Sequence, residues 1–162
     1  MELKMAYKVF ISHSTRDQGL VISLANLLSK FGVDVSVAEW YFTPKESISK
    51  KVFKQIQDSD CIVVLLTQNG IRSSWVQQEI GYSLQRSKVI IPIVEKGIDQ
   101  KDLGALQGQE YVEYDPREYQ QALIKLSTYI KSLKLGKEEK EKTMLVLGGL
   151  LAFLLLSSWE KK

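Results

Sequence analysis

The sequence has little of what metal centres and covalent active sites require. Its 162 residues include one histidine, His13, and one cysteine, Cys61. These leave no cluster with the spacing of zinc or iron ligands, and no catalytic triad is recognisable. Cys61 has no second cysteine for a disulfide and lies inside an apolar run, which favours a buried and inert thiol. We therefore expect no metal and a reducing compartment.

Glycine loops, long charged runs and a leader segment are also missing. The glycines form neither G-x-G-x-x-G nor G-x-x-x-x-G-K-S/T, so a nucleotide would have to be held in another way. The 22 Lys and Arg residues against 19 Asp and Glu give a formal charge of +3 without a basic arm, so we expect no nucleic-acid partner. The N-terminus contains no apolar stretch of signal-peptide length, which predicts a cytoplasmic domain.

What the sequence does contain is an alternation of strands and helices. Short apolar or β-branched runs, typical of strands buried on both faces of a parallel sheet, alternate with segments of helical spacing. The predicted strands are residues 7–11, 33–37, 61–66, 89–94 and 111–114. Connections too long for hairpins predict the α/β class, with a flavodoxin-like, doubly wound, parallel five-stranded sheet. Ligands bind such sheets at the carboxyl ends of the strands, here after Ile11, Val37 and Leu66.

Two unusual segments follow the first two predicted strands. In residues 9–17, VFISHSTRD, Ser14 or Thr15 can cap the next helix, and the same helix start would also attract phosphate. Residues 38–47 place three consecutive aromatic side chains before Pro44. Three aromatics in a loop are hard to bury together, so this segment predicts contact with a ligand or another chain, with simple packing as the alternative.

A third segment, residues 73–80, carries Trp75 and Glu79 four residues apart on a predicted helix, so both side chains share one face. An indole can stack on a purine or nicotinamide ring, and a neighbouring carboxylate can stabilise positive charge growing on a ribose. Residue statistics alone favour a different interpretation, in which Trp75 packs in the core and Glu79 points to water. The spacing of the two residues alone therefore does not favour a ligand site over this second interpretation.

Together these segments resemble the TIR (Toll/interleukin-1 receptor) domain family, in its prokaryotic NAD-cleaving form. The resemblance covers residues 6–133. Its matching pieces are residues 9–17, 38–46, 61–67, 73–80 and 88–93. They are specific in combination and not singly.

This resemblance implies an NAD+ hydrolase that splits the bond between nicotinamide and ribose, in defence or cell-death signalling. The products would be nicotinamide with ADP-ribose, a cyclic ADP-ribose isomer, or both. Glu79 matches the family's catalytic glutamate, and NAD+ is a substrate here, so no cofactor is expected. The residues that the resemblance assigns to the substrate pocket are Phe10, Ile11, Ser12, Trp40 and Trp75.

The resemblance also implies a homo-oligomer formed through TIR–TIR contacts. In many family members the loop after the second strand completes the site of the next copy, and here that assembly loop holds Tyr41, Phe42, Thr43, Pro44 and Lys45. A glycine often follows the proline of this loop, so Lys45 departs from the pattern. The alternatives are an adaptor that acts by TIR–TIR interaction without chemistry, and a nucleoside-processing or nucleotide-sensing relative with a similar sheet.

The composition changes after the predicted domain, residues 1–133. Residues 134–142 are rich in Lys and Glu and predict either a charged linker or a continuation of the last helix. Residues 143–159 are mainly apolar; at ~1.5 Å per residue they span about 25 Å, slightly less than a hydrocarbon core of roughly 30 Å. This predicts a transmembrane helix, with 160–162 as a tail and the TIR domain in the cytoplasm. The alternative is an apolar helix that packs on the domain or on other copies.

Overall fold

The strands of the sheet are those that the sequence predicts. The computed structural model describes residues 6–37 and 48–160, with side chains for 6–37 and 49–142. Within this part of the chain the strands are β1 Tyr7–Ser12, β2 Val33–Val37, β3 Cys61–Leu66, β4 Val89–Glu95 and β5 Val112–Tyr114. All four strand pairs are parallel, in the order β2-β1-β3-β4-β5. This confirms the five-stranded, doubly wound, flavodoxin-like sheet.

Three helices connect successive strands: α1 Gln18–Lys30, α2 Ile48–Asp58 and α3 Ser74–Gln85. A 3-10 segment, Gln100–Leu106, lies between β4 and β5, and α4 Tyr119–Glu160 follows β5. Several of these elements begin or end at residues that local chemistry favours. Before α1, Ser14 caps a short 3-10 turn by accepting a hydrogen bond from the backbone N–H of Arg16. Ser73 caps α3 by accepting from the N–H of Val76 at 3.3 Å. Gly32, at φ 74°, follows the end of α1 in the left-handed conformation that glycine tolerates best.

The sheet separates two hydrophobic cores because successive side chains of a strand point to opposite faces. On one face, Val9 and Ile11 of β1 pack with α1 and α4. On the other face, Phe10 packs with α2 and α3. Every residue of β3 is buried, as its uninterrupted apolar run predicts. Each β1 side chain therefore lies on one of two sides of the sheet. We call the side covered by α1 and α4 the α1 side, and the side covered by α2 and α3 the α3 side.

Cys61 starts β3 and is fully buried. Desolvation by burial raises the pKa of its thiol to about 12, far above the usual value for cysteine. A thiol with this pKa forms almost no thiolate near neutral pH, and the thiolate is the reactive form. The prediction that this thiol is buried is confirmed, and its raised pKa agrees with the prediction that it is inert.

Helix α4 continues without a break through residues 134–142, so this charged segment is helical. It also contacts the domain. The Lys134 ammonium group donates to the carbonyl oxygen of Phe31 at 3.0 Å, and that of Lys137 lies 3.0 Å from the carboxylate of Asp60. These contacts attach the start of the extension to the amino edge of the sheet.

In the part of the chain that the structure describes, no helix is long and apolar enough to cross a membrane. The backbone of residues 143–159 is helical, but their side chains lie outside the described residues. The transmembrane helix predicted for this segment gains no support from the structure and stays a prediction.

Candidate functional site

The winding of the sheet reverses between β1 and β3. These strands are neighbours, with Ser12 opposite Val64 at the end of their pairing. The helix that follows β1 packs on one face of the sheet, and the helix that follows β3 packs on the other. The two connections therefore diverge and leave a crevice at the carboxyl ends of β1 and β3, which is where doubly wound sheets bind ligands.

At this end of the sheet, β1 leads into a polar turn. Ser12, His13 and Ser14 are all buried, which is unusual for consecutive polar residues. The Nδ1 atom of His13 lies 2.7 Å from the carbonyl oxygen of Ser14. The Ser12 side chain, like that of Phe10, falls on the α3 face by strand alternation. Ser12 is 1% exposed, and its hydroxyl has no hydrogen-bond partner among the described residues. This hydroxyl could therefore form a hydrogen bond with a hydroxyl or amide group of a ligand.

Helix α3, which follows β3, carries Glu79. Glu79 is 2% exposed and is the one buried carboxylate among the described residues. Val76 and Ile80, on either side of it, pack in the α3-side core, and Ser83 donates to the main-chain oxygen of Glu79 at 2.7 Å. The interpretation in which Glu79 points to water is therefore wrong. Burying a charged carboxylate costs several kcal/mol unless its surroundings compensate it, so a buried carboxyl group at this place in the fold is a candidate functional group.

Trp75 lies one helical turn before Glu79 and is half-buried against the α3-side core. Part of the indole therefore remains available for contact with a ligand. A flat aromatic surface one turn from a buried carboxyl group combines a stacking platform with an acidic side chain.

A hydrogen-bonded cluster joins the segments that follow β1 and β3. The carboxylate of Asp17 accepts a hydrogen bond from the hydroxyl of Thr67 at 2.6 Å and another from the side-chain amide of Asn69 at 3.2 Å. The hydroxyl oxygen of Thr67 also accepts from the N–H of Gly70 at 2.9 Å. We call Asp17, Thr67 and Asn69 the clamp. The sequence places these residues after two predicted strands, but nothing in it indicates that they pair.

The structure distributes the remaining predicted site residues unevenly. Phe10, Ser12, Trp75 and Glu79 all belong to the α3 side of the sheet. Ile11 packs on the α1 side, so its side chain lies across the sheet from Glu79. Trp40 and the predicted assembly loop, Tyr41, Phe42, Thr43, Pro44 and Lys45, lie outside the described residues.

Two cavities lie away from the crevice. One, of about 500 Å³, is lined by residues at the start of β4 and before β5, including Tyr111 together with Tyr129 of α4. The other, of about 200 Å³, lies between β1, β2 and α2 and is lined by Asp34 and Asp58 among others. Neither is lined by Glu79. Among the side chains that the structure describes, those of residues 6–37 and 49–142, no group of three His, Cys, Asp or Glu could hold a metal ion.

Comparison with known proteins gives a family match: a model described as "TIR domain" matches residues 9–127. Three curated relatives carry related names. They are "Putative cyclic ADP-D-ribose synthase TIR2" of Cytobacillus dafuensis, 32% identical over 98 residues; "2' cyclic ADP-D-ribose synthase AbTIR" of Acinetobacter baumannii, 29% over 100 residues; and "Probable 3' cyclic ADP-D-ribose synthase ThsB'" of Bacillus cereus, 26% over 120 residues. The alignments cover 56%, 59% and 68% of this chain, but only 26%, 37% and 59% of the relatives' own lengths.

Solved structures share the fold. The TIR domain of the Toll-related receptor TRR-2 from Hydra magnipapillata matches with a TM-score of 0.61 and 19% identity, covering 76% of this chain and 99% of that one. A metazoan TIR-STING receptor from C. gigas matches with a TM-score of 0.59 and 21% identity, covering 76% of this chain and 41% of that one. At these identities the likeness concerns the fold alone.

Proposed function

Because this chain belongs to the TIR domain family, we propose that it cleaves NAD+ at the bond between nicotinamide and ribose. The observation that carries this proposal is Glu79, a carboxyl group only 2% exposed on the helix that follows β3, one turn from the half-buried Trp75. The relatives named as cyclic ADP-D-ribose synthases support it, because loss of nicotinamide from NAD+ is the step that leads to a cyclic ADP-ribose.

The chemistry asks little beyond a positioned negative charge. The nicotinamide of NAD+ is a positively charged pyridinium, so it leaves as a neutral molecule and takes the bonding electron pair with it. Positive charge then develops on the ribose in an oxocarbenium-like transition state, which the carboxylate of Glu79 would stabilise. Because Glu79 is shielded from water, this attraction would be stronger than at the surface. The indole of Trp75 would stack on the nicotinamide ring and hold it in place.

The acceptor determines the product. Attack by water gives ADP-ribose, nicotinamide and one proton. Attack by a hydroxyl or ring nitrogen of the same molecule closes a cycle, releases one proton and consumes no water. The relatives are named for different cyclic isomers, so their names do not fix which product this chain would make. Self-association through the loop between β2 and α2 is part of the proposal, since that loop starts at the carboxyl end of the strand next to β1.

The test is nicotinamide release from NAD+ by the purified full chain, over a range of protein concentrations, beside Glu79→Gln. Glutamine keeps the size of the side chain and leaves the bond from Ser83 to the main chain intact, but it removes the charge. We expect at least about a 100-fold lower turnover. The matched control is Glu118→Gln, an exposed carboxylate next to α4, which should release nicotinamide like the wild type.

Two results would count against the proposal. If the wild type releases no nicotinamide even at concentrations that favour assembly, the chain is not an NAD+-cleaving enzyme and the adaptor alternative stands. If Glu79→Gln releases nicotinamide at the wild-type rate, Glu79 is not the catalytic residue. Separating the products by mass spectrometry distinguishes ADP-ribose from its cyclic isomers in the same samples.

A further inference from the structure

The clamp lies beyond the last residues at which β1 and β3 pair. That pairing ends at Ser12 and Val64. Past this point the segments that follow β1 and β3 diverge towards opposite faces of the sheet. The hydrogen bonds of Asp17 with Thr67 and Asn69 connect these segments again, across 50 and 52 residues of sequence. The bond between Thr67 and Asp17 is 2.6 Å long, in the range of the strong hydrogen bonds that hydroxyl groups donate to carboxylates.

On the β3 side, hydrogen bonds and close packing hold the short segment that connects Thr67 of the clamp with α3. Besides the bond from Gly70 to its hydroxyl, Thr67 accepts a bond from the N–H of Ile71 on its carbonyl oxygen at 3.0 Å. The 3-10 turn that these bonds start runs directly to Ser73, the cap of α3. Gly70 packs so closely that a Cβ atom there would lie 2.1 Å from the carbonyl oxygen of Leu65. A shift at Thr67 would therefore be passed on to the start of α3.

On the β1 side, the clamp holds the buried polar turn. The N–H of Asp17 donates to the carbonyl oxygen of Ser14 at 3.0 Å, and the Ser14 hydroxyl accepts from the N–H of Arg16. Ser12 and His13 lie immediately before this turn. The clamp thus connects the turn after β1 with the segment that leads to α3, while its own three side chains lie outside α3.

We propose that Asp17, Thr67 and Asn69 are positioning residues, which set the place of Glu79 relative to the turn after β1 and thereby control turnover without touching the substrate. This inference depends on the proposed NAD+ cleavage. Charge stabilisation in the transition state requires the carboxylate and the ribose to be correctly placed, and a misplacement of about 1 Å can lower a rate about 100-fold. Loss of the clamp should lower kcat, whereas substrate binding, which depends on many contacts, should change much less.

The test compares Thr67→Val with Thr67→Ser in steady-state nicotinamide release. Valine has the shape of threonine but neither donates to Asp17 nor accepts from Gly70, whereas serine keeps the hydroxyl and both bonds. We expect kcat of Thr67→Val to fall about 10- to 100-fold with a much smaller change in KM. Thr67→Ser should keep most of the wild-type kcat, a rescue that distinguishes hydrogen bonding from packing.

Lys137→Met is the stability control. It removes a 3.0 Å contact to Asp60 at the opposite edge of the sheet, so it should lower the free energy of unfolding and leave kcat unchanged. If Thr67→Val fails to fold, Asn69→Ala decides instead, because Asn69 is half-buried and its loss removes only the 3.2 Å bond. We expect a smaller fall in kcat for this variant.

The inference is overturned if Thr67→Val and Asn69→Ala turn over like the wild type. It is also overturned if their kcat falls no more than that of Lys137→Met at the same free energy of unfolding. Both outcomes leave the proposed function intact. A wild type that releases no nicotinamide overturns the proposed function itself, and with it this role of the clamp.

Discussion

A side chain at Gly70 would collide with the backbone, since its Cβ would lie 2.1 Å from the carbonyl oxygen of Leu65. The absence of a Cβ lets the N–H of Gly70 approach the hydroxyl of Thr67. Gly81, within α3, is the opposite case: it is exposed, and an added Cβ would meet no atom within 4 Å. Packing therefore requires glycine at position 70, whereas the surroundings of Gly81 leave room for a side chain.

We expect Gly70→Ala to lower the free energy of unfolding by about 1 to 3 kcal/mol, because the backbone must move to admit the methyl group. Gly81→Ala is the matched control and should raise it by up to about 1 kcal/mol, since alanine favours a helix more than glycine does. Urea unfolding of both variants measures the difference. Equal stability of Gly70→Ala and the wild type would contradict the close approach.

At this scale the sequence predicts where the site residues lie better than how they are arranged. The four-residue spacing of Trp75 and Glu79 predicts a shared helix face, but burial of Glu79 depends on how α3 packs on the sheet, which spacing does not contain. The bond between Asp17 and Thr67 joins residues 50 positions apart, and only the strand order brings them together. Long-range pairing of this kind has no local signal in a single sequence.

Secondary-structure elements were easier to predict, because their signals are local. The run at β3 consists of apolar residues only, and the predicted bounds 61–66 match the observed strand. β1 extends one residue further than predicted, to Ser12, because backbone pairing with β3 continues past the last apolar side chain. The helical conformation of 134–142 agrees with their many Lys and Glu residues, which favour helices.

Helix α4 contributes to the fold beyond residue 133, where the sequence places the end of the domain. We expect a chain ending at Leu133 to be about 1 to 2 kcal/mol less stable than one ending at Lys142, because it loses the contacts of Lys134 with Phe31 and of Lys137 with Asp60. Thermal or urea unfolding of the two chains measures this. The double variant Lys134→Met, Lys137→Met in the longer chain should reproduce the loss, and more so at low salt. Equal stability of the two chains would support a domain end at 133.

For the whole molecule, the location of the chain stays a prediction from residues 143–159. In a density-gradient flotation assay, we expect the full chain to move upwards with vesicles of phosphatidylcholine and phosphatidylglycerol. A chain ending at Lys142 should remain at the bottom of the gradient. Vesicle binding should also raise nicotinamide release per protomer, because copies held on a surface have a higher effective concentration for assembly. A full chain that remains at the bottom contradicts the membrane prediction, and release that is the same with and without vesicles contradicts the need for assembly.

The unbroken course of α4 has a geometric consequence. Its 42 residues form a rod of about 63 Å at 1.5 Å per residue. A flexible tether restricts only how far a domain can travel, whereas a continuous helix also transmits rotation about its own axis. A contact beyond residue 142 that stops α4 from rotating would therefore fix the direction in which the sheet faces as well as its distance from that contact. Copies held in this way would present their β1/β3 crevices in a common direction.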